Sequence, residues 1–135
     1  VDFDHDDQDE LLIVTNSMHL GISTSAAFLY KWNDQMFAET WSAEIGQDNT
    51  GAINQPQYFM SASVVRFVDI DGDGIDEVIV DSTRVDYARD KQGLADLDRE
   101  IARRNDRRVY HWNGTAFVAD PARTTPLPPL PTPKP

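Results

Sequence analysis

Two stretches of this chain place a carboxylate at every second position and then run straight into a short apolar segment. Val1 to Ile13 reads V-D-F-D-H-D-D-Q-D-E-L-L-I, and Val68 to Val80 reads V-D-I-D-G-D-G-I-D-E-V-I-V. The frame is shared position by position. When such a loop curls, alternate side chains converge, and converging anions repel unless something positive sits among them. A hard cation with oxygen ligands is the natural neutraliser. The pattern is a metal signal rather than a catalytic one.

The 135 residues have room for one compact domain, and a hydrophobic content of 40% is adequate for a core without being rich. The net charge of −11 argues against nucleic acid, because phosphate binding needs a basic face to displace counterions. It argues equally against docking on anionic lipid. No cysteine is present, so neither a disulfide framework nor a thiolate zinc site can exist. Extracellular modules can pin their loops with calcium instead, and external calcium suffices for sites with affinities of about 10⁻⁴ to 10⁻³ M. No segment approaches the run of about 18 apolar residues that a membrane span needs, so no membrane insertion is expected. The chain lacks an initiator methionine and a signal-peptide pattern. We therefore expect a processed or trimmed start, upstream sequence, and an exported protein (extracellular or periplasmic, bacterial).

The repetition extends past the acidic loops. Tyr30-Lys31-Trp32-Asn33-Asp34-Gln35-Met36-Phe37 matches Tyr110-His111-Trp112-Asn113-Gly114-Thr115-Ala116-Phe117. Each reads as a strand, a tight Asn-Asp or Asn-Gly turn whose two residues both take positive φ, and a second strand. One unit is thus an acidic loop, a buried strand and a β-hairpin. Strands are predicted near 10–15, 26–32, 36–41, 58–68, 77–82, 107–112 and 116–119. The second unit carries extra residues, Asp90 to Asn105, in which Leu94, Leu97 and Ile101 fall at helical spacing. Acidic residues early and Arg103 and Arg104 late suit a helix dipole, so one inserted helix near 91–104 is expected, covering a sheet edge. Asn16 to Ser25 and Ser42 to Gln57 read as connectors. The organisation is a first repeat over 1–57, a second over 58–120, and a Pro-rich extended tail over 121–135.

In the second loop, Asp69, Asp71 and Asp73 occupy the first, third and fifth positions, with Glu77 at the ninth. Gly72 and Gly74 relax the backbone where the chain turns back. The carbonyl of Ile75, at the seventh position, can point inward while its side chain enters the core. These oxygens with one or two waters make the six to eight ligands that calcium prefers; magnesium would demand a tighter octahedron. The absence of nitrogen and sulfur ligands disfavours zinc or copper.

D-I-D-G-D-G-I-D-E-V-I-V followed by the Y-x-W-N-G-x-x-F hairpin resembles the FG-GAP/VCBS repeat, the calcium-loop blade of integrin α-subunit propellers and of many bacterial secreted proteins. The resemblance covers residues 1–41 and 58–120. It implies an all-β fold of two antiparallel blades, and calcium held at the first, third, fifth, seventh and ninth positions of each loop. In the first loop these are Asp2, Asp4, Asp6, Gln8 and Glu10, so two Ca²⁺ sites are expected. His5 and Asp7 stand there in place of glycine, and Asp tolerates left-handed geometry better than most residues. A closed propeller needs at least about four blades. The chain is therefore expected to be part of a longer propeller, a pair of face-packed sheets, or one piece of an assembly.

His5, His19 and His111 are scattered, and no Ser-His-Asp order or phosphate loop appears. The expected function is a non-catalytic calcium-binding structural or interaction module, not an enzyme. Its expected partner is another protein chain or an upstream part of the same protein. The alternatives are an accessory carbohydrate-binding domain with a glycan ligand, which exposed tryptophans would favour, and a bound subunit of a cell-envelope complex or filament.

Overall fold

A computed structural model describes residues 1–124 and is all-β, with no helix among the described residues. The strands are β1 (Leu11–His19), β2 (Ile22–Trp32), β3 (Phe37–Asp48), β4 (Tyr58–Val68), β5 (Glu77–Arg89), β6 (Ala95–Trp112) and β7 (Phe117–Ala119). They form one antiparallel sheet in chain order, β1 to β7. The expectation of an extended tail falls largely on residues 125–135, outside the described residues.

The internal repeat reappears in the pairing register. Leu11 faces Tyr30 across β1 and β2, as Val78 faces Tyr110 across β5 and β6. Trp32 faces Phe37, as Trp112 faces Phe117. The turns between these pairs are built alike. Asn33 N–H donates to the Met36 carbonyl at 3.1 Å, and Asn113 N–H to the Ala116 carbonyl at 3.0 Å. Each asparagine side chain then accepts from the two backbone amides that follow the turn's second residue. Of the four turn residues named from sequence, Asp34 and Gly114 have positive φ, at 71° and 97°, while Asn33 and Asn113 do not. The reason is loop length. With four residues between the paired strands, the asparagine bends the chain through its side chain and leaves one left-handed position. The two-residue turn with both φ values positive is instead Leu20-Gly21, between β1 and β2, at 50° and 79°.

β3 and β4 pair only over Gly46–Asp48 with Met60–Ala62. Beyond this narrow join the sheet folds over on itself, since residues of β3 touch β6, three strands away. The Trp41 and Tyr110 rings lie 5.7 Å apart edge to face, and Arg108 donates to the Glu44 carbonyl at 3.1 Å. The enclosed core combines Ala27, Leu29 and Trp41 from the first half with Val78, Val80 and Phe117 from the second. Phe3 seals it from the first acidic loop, fully buried between Trp112 and Phe117 at centroid distances of 5.0 and 4.8 Å. Along β4 and β5 the inner face turns polar away from the loops. Val65 and Val80 give way to the pair Ser63–Ser82, whose hydroxyls lie 2.6 Å apart, and then to Ser61 and Arg84. A polar recess of about 340 Å³ opens there.

The inserted helix expected near 91–104 is not formed. That segment is a β-turn followed by the first half of β6. β5 runs on to Arg89, well past the expected end at Ser82, and offers its backbone edge to the incoming chain. The side chains then pair across the strands. Buried Asp86 accepts across the strands from Arg104 at 2.7 Å, and along β5 from Arg84 at 3.0 and 3.1 Å. Asp81 accepts from Arg107 at 2.6 and 2.9 Å, and Thr83 donates to Asn105 at 2.8 Å. Cross-strand pairs of this kind outweigh helix propensity when no apolar groove receives a helical stripe. Leu94, Leu97 and Ile101, the supposed stripe, remain solvent-exposed. Much of the polar stretches read as connectors is likewise strand. Residues 16–19 and 22–25 lie in β1 and β2, and residues 42–48 complete β3. Their Ser, Asn and Gln side chains line the polar recesses, so strand pairing costs them no core burial.

Candidate metal centre

The acidic loops precede β1 and β5, and their backbones fold by one scheme. In the second loop, Asp69 accepts from Gly72 N–H at 2.7 Å, Asp73 N–H at 3.2 Å and Gly74 N–H at 2.9 Å. Asp73 accepts from Ile75 N–H at 2.8 Å. In the first, Asp2 accepts from Asp6 N–H at 3.1 Å and Asp7 N–H at 3.2 Å, and Asp6 accepts from Gln8 N–H at 2.9 Å. Gly72 and Gly74 have φ of 77° and 88°; His5 and Asp7, at the same positions, have 54° and 63°. The first loop thus makes its turns without glycine.

The glutamates close both loops identically. Ile70 N–H donates to Glu77 Oε2 at 2.8 Å, and Phe3 N–H donates to Glu10 Oε2 at 3.1 Å. Both glutamates are buried. In the second loop, carboxylate oxygens of Asp69, Asp71 and Glu77 lie within 4.8 Å of one another. Asp73 lies outside that trio on the exposed side, and Ile75 packs its side chain against the core. Two unit charges at such a separation repel by about 3 kcal/mol at the effective dielectric of a protein surface, and several-fold less in open water. Among the described residues, no Lys, Arg or His side chain pairs with Asp69, Asp71, Asp73 or Glu77. Burial drives the Glu77 carboxyl above its usual range. Ile70 N–H opposes that rise, and the Asp71 and Asp73 charges add to it. Asp69 is held below its range, first by Gly74 N–H and then by the other amides it accepts from. An all-oxygen donor set with an uncompensated, buried carboxylate fits a hard divalent cation.

No family model, curated protein or solved structure matches the chain.

The first loop departs from the second in its charge balance. Its trio of converging carboxylates is Asp2, Asp4 and Asp6, with Gln8 exposed beside them. Glu10 and two members of that trio already share a cation: Lys31 Nζ lies 2.8 Å from Glu10 Oε1, 2.9 Å from Asp4 and 3.1 Å from Asp6. Lys31 holds the Asp6 carboxyl below its usual range. From sequence, Lys31 reads as one hairpin residue among others. A signal for it existed, since the repeat alignment sets Lys31 against His111 beside two equivalent glutamates. The eighth positions differ as well. Asp76 lies 3.3 Å from His5 Nε2, and Asp9 lies 3.5 Å from the Val1 amino group.

Proposed function

We propose that this chain is a non-catalytic, calcium-binding structural or interaction module of an exported protein, in which a divalent ion ties together strand ends at the core. The observation that carries the reading is the second loop, where Asp69, Asp71 and buried Glu77 converge and no Lys, Arg or His side chain among the described residues pairs with them. The ion would be held by these three carboxylates with Asp73 and the Ile75 carbonyl. It would offset charge at the start of β5, next to Val78 and Val80, which are fully buried. The resemblance to FG-GAP/VCBS repeats supports the same function, with another protein chain as partner. The carbohydrate-binding alternative has little to rest on. Of the tryptophans, Trp41 is buried and Trp112 packs on Phe3 and Phe117, which leaves Trp32 facing solvent.

The test is thermal unfolding with chelator and with about 10 mM calcium. At affinities of about 10⁻⁴ to 10⁻³ M, calcium at that concentration stabilises by about 1.4 to 2.7 kcal/mol, or roughly 5 to 10 °C in Tm. Asp71→Asn with Asp73→Asn keeps the turn-forming acceptors and removes the charge, and it should abolish the response. A wild-type melting curve indifferent to chelator and calcium would reject the proposal.

A further inference from the structure

The two acidic loops share their carboxylates, their turns and their buried glutamate, and they differ in what stands across the sheet from that glutamate. The register that pairs Leu11 with Tyr30 sets Lys31 opposite Glu10; the register that pairs Val78 with Tyr110 sets His111 opposite Glu77. The ammonium of Lys31 sits among three carboxylates of the loop: it donates to Glu10 at 2.8 Å and Asp6 at 3.1 Å, and it pairs ionically with Asp4 at 2.9 Å. The side chain is held from both sides. Its Nζ lies 5.2 Å from the centroid of the buried Phe3 ring, and the Glu10 carboxylate it meets is itself buried. Asp4 Oδ1 is buried without a hydrogen bond, and among the described residues Lys31 is the cation that meets the Asp4 charge, through Oδ2. In the second loop the matched residue is exposed, and His111 forms no ion pair there among the described residues.

We propose that Lys31 is the resident cation of the first loop, so that this loop folds around its own ammonium and takes no divalent ion at calcium concentrations that load the second. The disagreement with a two-calcium arrangement is physical. An entering ion would have to displace an ammonium from three carboxylates, one of them buried, and leave that ammonium without a partner. The metal-like loop thus becomes a permanently closed strap that keeps Phe3 in the core, and calcium dependence is left to one site.

The inference deepens the calcium reading of the second loop but is tested apart from it, in protein carrying Asp71→Asn and Asp73→Asn, where that loop is silenced. Calorimetric titration with calcium chloride and Tm in chelator and in calcium are the readouts. In the doubly substituted protein we expect no calcium response. Adding Lys31→Met, with Lys31→Gln as a second neutral variant, should lower the Tm in chelator by several degrees and create a single calcium site that restores it. Lys31→Arg should keep the loop silent. A calcium response in the doubly substituted protein with Lys31 intact would overturn the proposal. So would neutral variants that gain no calcium binding or stay unfolded in calcium, because an opened first loop would then not be a metal cradle. A failure of the second-loop reading shows up separately, as a wild-type protein without a calcium response.

Discussion

The backbone N–H of Asp76 donates to the carbonyl of Phe3 at 2.7 Å. This bond runs from the second acidic loop to the first, so the two loops are built against each other although 73 positions separate their residues in the numbering of the chain. His5 reinforces the contact from the first loop by approaching Asp76. The Phe3 side chain, on the same residue as the accepting carbonyl, closes the core between Trp112 and Phe117.

Phe3→Ala should therefore act on both loops at once. Removing a fully buried phenylalanine costs about 3 to 5 kcal/mol through lost burial and the cavity left behind. Urea unfolding measures the loss, and a change below about 1 kcal/mol would mean that the first loop is not part of the folded core.

The charge state of Glu77 predicts a pH effect whose sign is fixed. Burial raises its folded-state pKa above the ordinary value of 4.5, with Asp71 and Asp73 adding to the rise. A raised carboxyl binds its proton more readily in the folded state. In chelator, stability is therefore lost as pH rises from the ordinary value through the raised one. Glu77→Gln should flatten that part of the Tm profile, raise the Tm at neutral pH in chelator, and weaken the calcium response. A profile equal to that of the wild type would remove Glu77 from the loop's electrostatics.

Asp81 predicts the opposite slope. Arg107 first, and then Arg66 at 2.5 Å, hold its folded-state pKa below the ordinary 3.8. That contribution is present above the ordinary value and disappears as pH falls through the lowered one. The group is about one-third exposed, at 32%, so solvent screening keeps its contribution below about 1 kcal/mol. Asp81→Asn should remove a small acid-side decline in Tm and leave the calcium response intact. Loss of the calcium response would show that the two regions are coupled.

Gly21 and Gly93 separate backbone conformation from packing. Both have positive φ, at 79° and 82°. A Cβ on Gly21 would stand 2.3 Å from the Gly51 carbonyl oxygen, whereas one on Gly93 meets nothing within 4 Å. Gly93→Ala should cost only the left-handed strain of about 1 to 2 kcal/mol. Gly21→Ala should cost clearly more, because the β1–β2 turn must also move off the loop that contains Gly51. Equal losses in denaturant unfolding would contradict the close approach.

Part of this molecule was legible from local pattern. Tyr58–Val68 is a strand as read from sequence, and β1 and β5 begin where the alternating carboxylates end. Those features depend on neighbours a few residues apart: side-chain alternation along a strand, and aspartates that accept from amides two to five positions on. The stretch around Leu97 was not legible in the same way, because its spacing also suits a helix. The long edge of β5 and the arginine partners of Asp81 and Asp86 decided it, and no short window contains them.

By itself, the sequence determined a chain dominated by β-strands, with two acidic loops of equal frame, each leading into a strand. Local hydrogen bonding and two-residue alternation are written into adjacent residues. The tertiary structure alone decided which loop already holds a cation, because Lys31 reaches Asp4, Asp6 and Glu10 only after β1 and β2 pair. Charge balance in a folded protein depends on distances through space, and chain order does not specify those until the strands are in register.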